Sequence, residues 1–195
     1  MKKVRVKKLI MKKYKLVIFD WDGTLMDSQQ KIVSALQYVI NDMKLDTKSN
    51  DELKNVIGLG LTEAIFHLYP QFSDTKNHQF ADLYRAAFLS SRQPAPLLFN
   101  GVVEMIHQLE SLGVMLAVAT GKSRNGLQQS MQDSGLKHYF HASRCADETC
   151  SKPNPQMLEE LLDEFSLSAK DALMIGDTEY DMEMANNIKM DAFAV

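Results

Sequence analysis

Apolar and polar positions follow two rhythms along this chain. Short unbroken apolar runs end on polar residues: Leu16-Val17-Ile18-Phe19 at Asp20, Val114 to Ala119 at Thr120, and Ala172 to Ile175 at Gly176-Asp177. Runs of that length, closed by a turn or charged residue, predict buried strands. His141 to Arg144 and Asp191 to Val195 are shorter candidates. Between them the apolar residues recur every three or four positions. Val102, Val103, Met105, Ile106, Leu109 and Leu112 form one such stripe, and Met157, Leu158, Leu161, Leu162 and Phe165 another. Asn154-Pro155 supplies an N-cap and a first-turn proline for the second stripe. Strands alternating with helices predict a parallel α/β sheet.

One interval breaks this alternation. Ninety-nine residues separate Asp20 from Thr120, whereas a strand–helix–strand crossover needs only about 30. Inside it, Ile32, Val33, Leu36, Val39, Ile40 and Met43 form one amphipathic pattern, and Phe80, Leu83, Tyr84, Ala87 and Phe88 another, with no convincing strand between. The expected organisation is a basic arm over residues 1–13, an α/β core over 14–25 and 98–195, and an all-helical insertion over 26–97. Pro94-Ala95-Pro96 leads back to the core. Two crossings between units make a hinge, and a hinge suggests a lid over a site.

Charge sharpens the picture of the arm. Residues 1–15 carry eight basic side chains and no acid, so the remaining 14 basic and 25 acidic residues leave the rest at −11. Such an arm can bind nucleic acid or anionic lipid, but a solvated tail is the simpler expectation, and Met11 offers a second possible start. Its apolar stretch is only Leu9-Ile10-Met11, too short for a signal peptide. No run approaches the roughly 18 apolar residues of a membrane span. Cys145 and Cys150 match neither a redox pair nor a zinc knuckle, so a reducing, cytoplasmic setting is expected.

The candidate chemistry falls just beyond the strand ends, where ligands bind in open α/β sheets. Asp20 and Asp22 stand two apart after the first strand, with Gly23 allowing a sharp turn. They do not begin an EF-hand, because its sixth and twelfth positions would be Leu25 and Lys31. Ala119-Thr120-Gly121-Lys122-Ser123 resembles the end of a P-loop but has Leu116 where the first glycine belongs. Thr120 is either a turn former or, with the backbone N–H groups from Gly121 onward, a phosphate cradle. Gly58-Leu59-Gly60 begins like a dinucleotide fingerprint without its third glycine, so a flexible turn facing the site is expected there. Lys152 precedes a helix and, taken alone, reads as solvated. Asp177 and Asp181 suit a hard cation such as Mg²⁺. Asp181 also has capping-box spacing from Thr178, a purely structural alternative. The five histidines lack zinc-site spacing.

Taken in order, Phe19 to Leu25 (FDWDGTL), Val118-Ala119-Thr120, Ser151-Lys152-Pro153 and Gly176 to Asp181 (GDTEYD) resemble the haloacid dehalogenase superfamily over residues 14–195. The wording around them is similar to phosphoglycolate-phosphatase-like members. The resemblance implies a Rossmann-type parallel core with a helical cap inserted after the first strand. It implies Asp20 as nucleophile, Asp22 as general acid and base, and Thr120, Gly121 and Lys152 as holders of the phosphoryl group. Mg²⁺ would sit between Asp20, the Asp22 carbonyl and Asp177, with Asp181 orienting that site. Gly58 and Gly60 would meet the leaving group. The implied activity is hydrolysis of a small phosphorylated metabolite, phosphoglycolate-like, through an aspartyl-phosphate, by a monomer or weak dimer with no membrane or nucleic-acid partner. A sugar phosphomutase or a pyrophosphatase using the same chemistry is the alternative. The resemblance also implies a further helix after the last strand, so an exposed apolar edge is expected near Val195.

Overall fold

The computed structural model describes residues 13–90 and 97–195. The basic arm up to residue 12 and the Pro94-Ala95-Pro96 segment lie outside the described residues. Strand β1 (Leu16–Phe19) sits at the centre of a five-stranded sheet. It pairs in parallel with β4 (Met115–Thr120) and β6 (Ala172–Gly176). The edges are β5 (Ala142–Cys145), beside β4, and β7 (Asp191–Ala194), beside β6. Both faces of the central strands are covered, which is why they read as unbroken apolar runs.

The two-residue period of the strands divides those runs between faces. Val17, Phe19, Leu116 and Val118 join Val102, Ile106 and Leu109 of α5 (Val102–Ser111) and Leu127 and Met131 of α6 (Arg124–Asp133). Leu16, Ile18, Ala117 and Ala119 join Met157, Leu158, Leu161 and Leu162 of α7 (Gln156–Glu164) and Met184 and Ala185 of α8 (Glu179–Asn187). Helix α7 starts one residue later than the proline suggests: Pro155 is the cap residue, and the Asn154 side chain accepts the Gln156 N–H at 3.0 Å.

The long interval holds α1 (Gln29–Asp42), α2 (Asn50–Lys54), α3 (Leu61–Leu68) and α4 (Asp74–Ser90). These four helices pack around an apolar cluster of their own, including Leu36, Leu53, Ile65, Tyr69 and Phe80. One feature departs from the expectation of no strand. Met26–Asp27 (β2) and Leu97–Leu98 (β3) form a two-residue antiparallel pair where the insertion joins the core. A two-residue strand is too short to leave an alternation pattern. Met26 is buried in the core cluster and Leu98 packs against it, so both crossings are tied to the sheet rather than to the helices.

Candidate active site

The chain turns sharply where β1 ends. Trp21 is buried, donates its indole N–H to Ser130 Oγ at 2.8 Å and meets the Phe140 ring edge-on at 5.9 Å. That anchor holds the two flanking carboxylates on the open end of the sheet. Gly23 then adopts φ of 93°, and a Cβ there would lie 2.2 Å from Asp177 Oδ2. Glycine is thus required twice, for the left-handed backbone and for the carboxylate beside it.

Asp20 is 1% exposed and Asp181 fully buried, and the Lys152 side chain lies between them. The Lys152 ammonium donates to Asp20 Oδ1 and Asp181 Oδ1, each at 2.6 Å. Asp181 Oδ2 is also committed, accepting the Thr178 hydroxyl at 2.7 Å and its backbone N–H at 3.2 Å. The capping role and the site role of Asp181 therefore coexist, one on each oxygen. Asp177, in the turn after β6, accepts the Thr24 hydroxyl at 2.9 Å. One oxygen each of Asp20, Asp177 and Asp181 lie within 4.8 Å of one another.

Burial pushes the Asp20 carboxyl up to about 7, and the Asp181 and Asp177 charges push the same way against the pull of Lys152. Burial and the Asp181 charge also raise Asp177. Burial would lower the Lys152 ammonium, but Asp181 and Asp20 outweigh it and hold it above the ordinary lysine range. Asp20 Oδ2 is buried and, among the described residues, has no hydrogen-bond partner. A buried carboxylate oxygen left unpaired among like charges is costly. The donor set therefore fits a hard divalent cation, with lone pairs to spare on Asp20 and Asp177.

The Asp22 carboxylate faces elsewhere. It accepts Lys122 Nζ at 2.7 and 3.0 Å on its two oxygens, and the buried Ser28 hydroxyl at 2.7 Å. Thr120, 1% exposed, ends β4 beside β1, and its hydroxyl oxygen accepts the Lys122 N–H at 3.2 Å. The insertion closes over this end of the sheet. At Gly121 a Cβ would lie 2.3 Å from the Leu59 carbonyl oxygen and 2.5 Å from that of Gly58. Gly60 donates its N–H to Ser151 Oγ at 2.8 Å, and Gly58 packs against Thr178. Tyr180, from α8, donates to the Asn55 carbonyl at 3.0 Å.

Asp20, Lys152, Asp177 and Asp181 thus meet in one cluster. Asp22 and Thr120 border it, and Gly58 and Gly60 contact the core loops. Sequence reasoning gave no role to Lys122, Tyr84 or Phe88. The Phe88 ring centroid lies 5.3 Å from the Lys122 ammonium, and burial, then the Asp22 charge, raises the Tyr84 hydroxyl. Only their place on the apolar stripe of α4 marked the two aromatics.

The family model for haloacid dehalogenase-like hydrolases matches residues 17–195. The chain belongs to that family. It is 34% identical over 184 residues to the probable phosphatase IndB of Dickeya dadantii, covering 92% of this chain and 80% of that one. It is 28% identical over 189 residues to a phosphoglycolate phosphatase of Agrobacterium fabrum, covering 92% and 79%. A haloacid dehalogenase-like hydrolase from Bacteroides fragilis shares the fold at a TM-score of 0.86, with 21% identity and coverage of 93% and 87%. Among the described residues, no helix is long and apolar enough to cross a membrane.

Proposed function

We propose that this family member is a Mg²⁺-dependent phosphatase acting on a small phosphate monoester, with 2-phosphoglycolate the leading candidate. The observation that carries the reading is the buried Asp20–Lys152–Asp181 arrangement, with Asp20 Oδ2 left without a partner among the described residues. A nucleophile needs a lone pair free of hydrogen bonds, and a phosphoryl dianion needs cations near it.

Asp20 attacks phosphorus, forming the Asp20 O–P bond as the bond to the leaving oxygen breaks. Asp22 gives that oxygen its proton. Lys152, the Thr120 hydroxyl and the Gly121 N–H hold the phosphoryl oxygens. Asp22 then takes a proton from water as the water oxygen attacks phosphorus, which releases phosphate and restores Asp20. When bound between Asp20, the Asp22 carbonyl and Asp177, Mg²⁺ would offset the charge that repels nucleophile from substrate. Asp181 holds Lys152 in place rather than contacting substrate. The helical insertion acts as the cap, and its tight approach at Gly121 favours small leaving groups. The reduced Cys145 and Cys150 suit a cytoplasmic metabolite enzyme.

The test is hydrolysis of p-nitrophenyl phosphate and 2-phosphoglycolate with Mg²⁺ and with EDTA, on wild type and Asp20→Asn. Wild type should turn over only with the metal, and Asp20→Asn should be inactive but folded. Undiminished rates in EDTA, or turnover by a folded Asp20→Asn protein, would overturn the reading.

A further inference from the structure

Beside the Asp20 cluster stands a second charged group that the proposed chemistry does not explain. Lys122 holds both oxygens of Asp22, at 2.7 and 3.0 Å, with each side chain largely buried at 14% and 13% exposure. The Ser28 hydroxyl occupies Asp22 Oδ1 as well. In this arrangement the Asp22 carboxylate is gripped by an ammonium and is not free to face a bridging ester oxygen.

The surroundings of Lys122 indicate where its ammonium is of use. Its own N–H bonds to Thr120 Oγ1, so it follows directly on the loop proposed to cradle the phosphoryl group. On the opposite side stands an aromatic wall from α4, Tyr84 and Phe88, with ring centroids 6.0 Å apart. The Phe88 ring has the Lys122 ammonium 5.3 Å and the Lys31 ammonium 4.7 Å from its centroid. Two lysines from different units, one from the core and one from α1, therefore converge on one ring at the junction of insertion and core. That junction is cationic, and it adjoins Asp22, the proposed acid to the leaving group.

We infer that Lys122 is the specificity residue for the leaving group: its ammonium exchanges the Asp22 carboxylate for an anionic group carried by the leaving alcohol. The inference rests on the phosphatase reading of the site. A substrate with a second anion replaces one ion pair by another and leaves Asp22 free to face the ester oxygen. A neutral substrate of the same size offers no such exchange, so either Lys122 stays on Asp22 or a largely buried ammonium is stranded. Selection then comes from the penalty on the substrate that lacks the anion. The shared chemistry is an anion one or two bonds beyond the scissile oxygen, which a carboxylate or a second phosphate can supply.

The experiment compares kcat/KM for 2-phosphoglycolate, pyrophosphate and ethyl phosphate, the last having the same two-carbon skeleton without the carboxylate. Wild type, Lys122→Met and Lys122→Arg are assayed with Mg²⁺, and p-nitrophenyl phosphate reports the underlying reaction. Wild type should prefer at least one anionic-tailed substrate over ethyl phosphate by about 10- to 100-fold, the range expected for one charge-assisted hydrogen bond. Lys122→Met should shrink that ratio to within about threefold, whatever it does to absolute rates, and Lys122→Arg should restore most of it. Loss confined to 2-phosphoglycolate assigns the anion as a carboxylate, and loss confined to pyrophosphate assigns it as a phosphate. A purely structural ion pair would lower melting temperature and all three rates together and leave the ratio unchanged. That result, or a wild type without preference, overturns the inference while p-nitrophenyl phosphate turnover leaves the phosphatase reading standing. If wild type with Mg²⁺ hydrolyses neither p-nitrophenyl phosphate nor any of the three other substrates, the phosphatase reading falls and this inference falls with it.

Discussion

Replacing Asp20 by Asn should make the metal-free protein more stable. Asp20 shares a buried site with the Asp177 and Asp181 carboxylates and the Lys152 ammonium. Its carboxyl is raised from 3.8 to about 7, with burial the largest cause. For an acid raised on folding, the unfolded chain is the more ionised one between those two values. Stability therefore falls as pH rises through that window, and the full penalty is in place above pH 7. At 1.36 kcal/mol per pH unit, that rise corresponds to a ceiling of about 4 kcal/mol. Asn keeps an acceptor for Lys152 but loses the charge that strengthens that hydrogen bond, so roughly half the ceiling, about 2 kcal/mol, should survive as a net gain. In a chain of this length 1 kcal/mol moves Tm by roughly 2–4 °C, which gives a rise of about 4–8 °C. The assay is thermal melting in EDTA at pH 8 and at pH 5. The variant should melt higher at pH 8, and the gap should narrow at pH 5. Added Mg²⁺ should raise wild type more than the variant, because the cation stabilises the state that binds it. A variant that melts at or below wild type in EDTA at pH 8 would refute the claim that the site is electrostatically strained.

Lys152→Met should do the opposite, because it strands the Asp20 and Asp181 carboxylates without their cation. A loss of about 3–5 kcal/mol is expected in urea unfolding at pH 8, partly recovered at pH 5 as a carboxylate takes up a proton; no loss would refute it. Gly121→Ala should push the insertion off the core, since its Cβ would lie 2.3 Å from the Leu59 carbonyl oxygen. Limited proteolysis should then cut within residues 50–70 faster than in wild type, and equal rates would show that the contact is dispensable. Phe193, on β7 at the sheet edge and 59% exposed, should promote association. Phe193→Lys should reduce concentration-dependent light scattering, and unchanged scattering would exclude that edge as the contact.

Much of the core was legible because its signals are local. Each apolar run that became a central strand ends on a polar residue at the same end of the sheet, so Asp20, Thr120 and Asp177 could be placed there from pattern alone. The β5 and β7 edges were readable only as short runs, since one side of each lacks a neighbouring strand. Lys152 could not be distinguished from a solvated lysine by local pattern. Its burial depends on two carboxylates 132 and 29 residues away. Lys122 was hidden for the same reason, because its partner Asp22 is 100 residues away. Gly23 looked like a turn glycine, and only the fold reveals that the Asp177 carboxylate fills the space a side chain would need.

How the insertion meets the core bears on how the site works. The insertion has its own apolar cluster, and none of the residues in that cluster belongs to either core cluster. Described contacts between the two are mainly polar or backbone: Gly60 to Ser151, Asn55 to Tyr180, and the approach of Leu59 to Gly121. Hydrogen bonds of this kind contribute about 0.5–1.5 kcal/mol each, whereas separating two apolar faces costs far more. On that count parting the units should cost only a few kcal/mol, which suits a gate opening on the microsecond-to-millisecond scale. Lys122 stands at that junction, with Phe88 of the insertion on one side and Asp22 of the core on the other. Opening would remove the ring from the ammonium and leave the Lys122–Asp22 pair in the core intact. Closure would bring the aromatic wall back against the Lys122 ammonium, so leaving-group recognition and exclusion of water would be completed by the same movement.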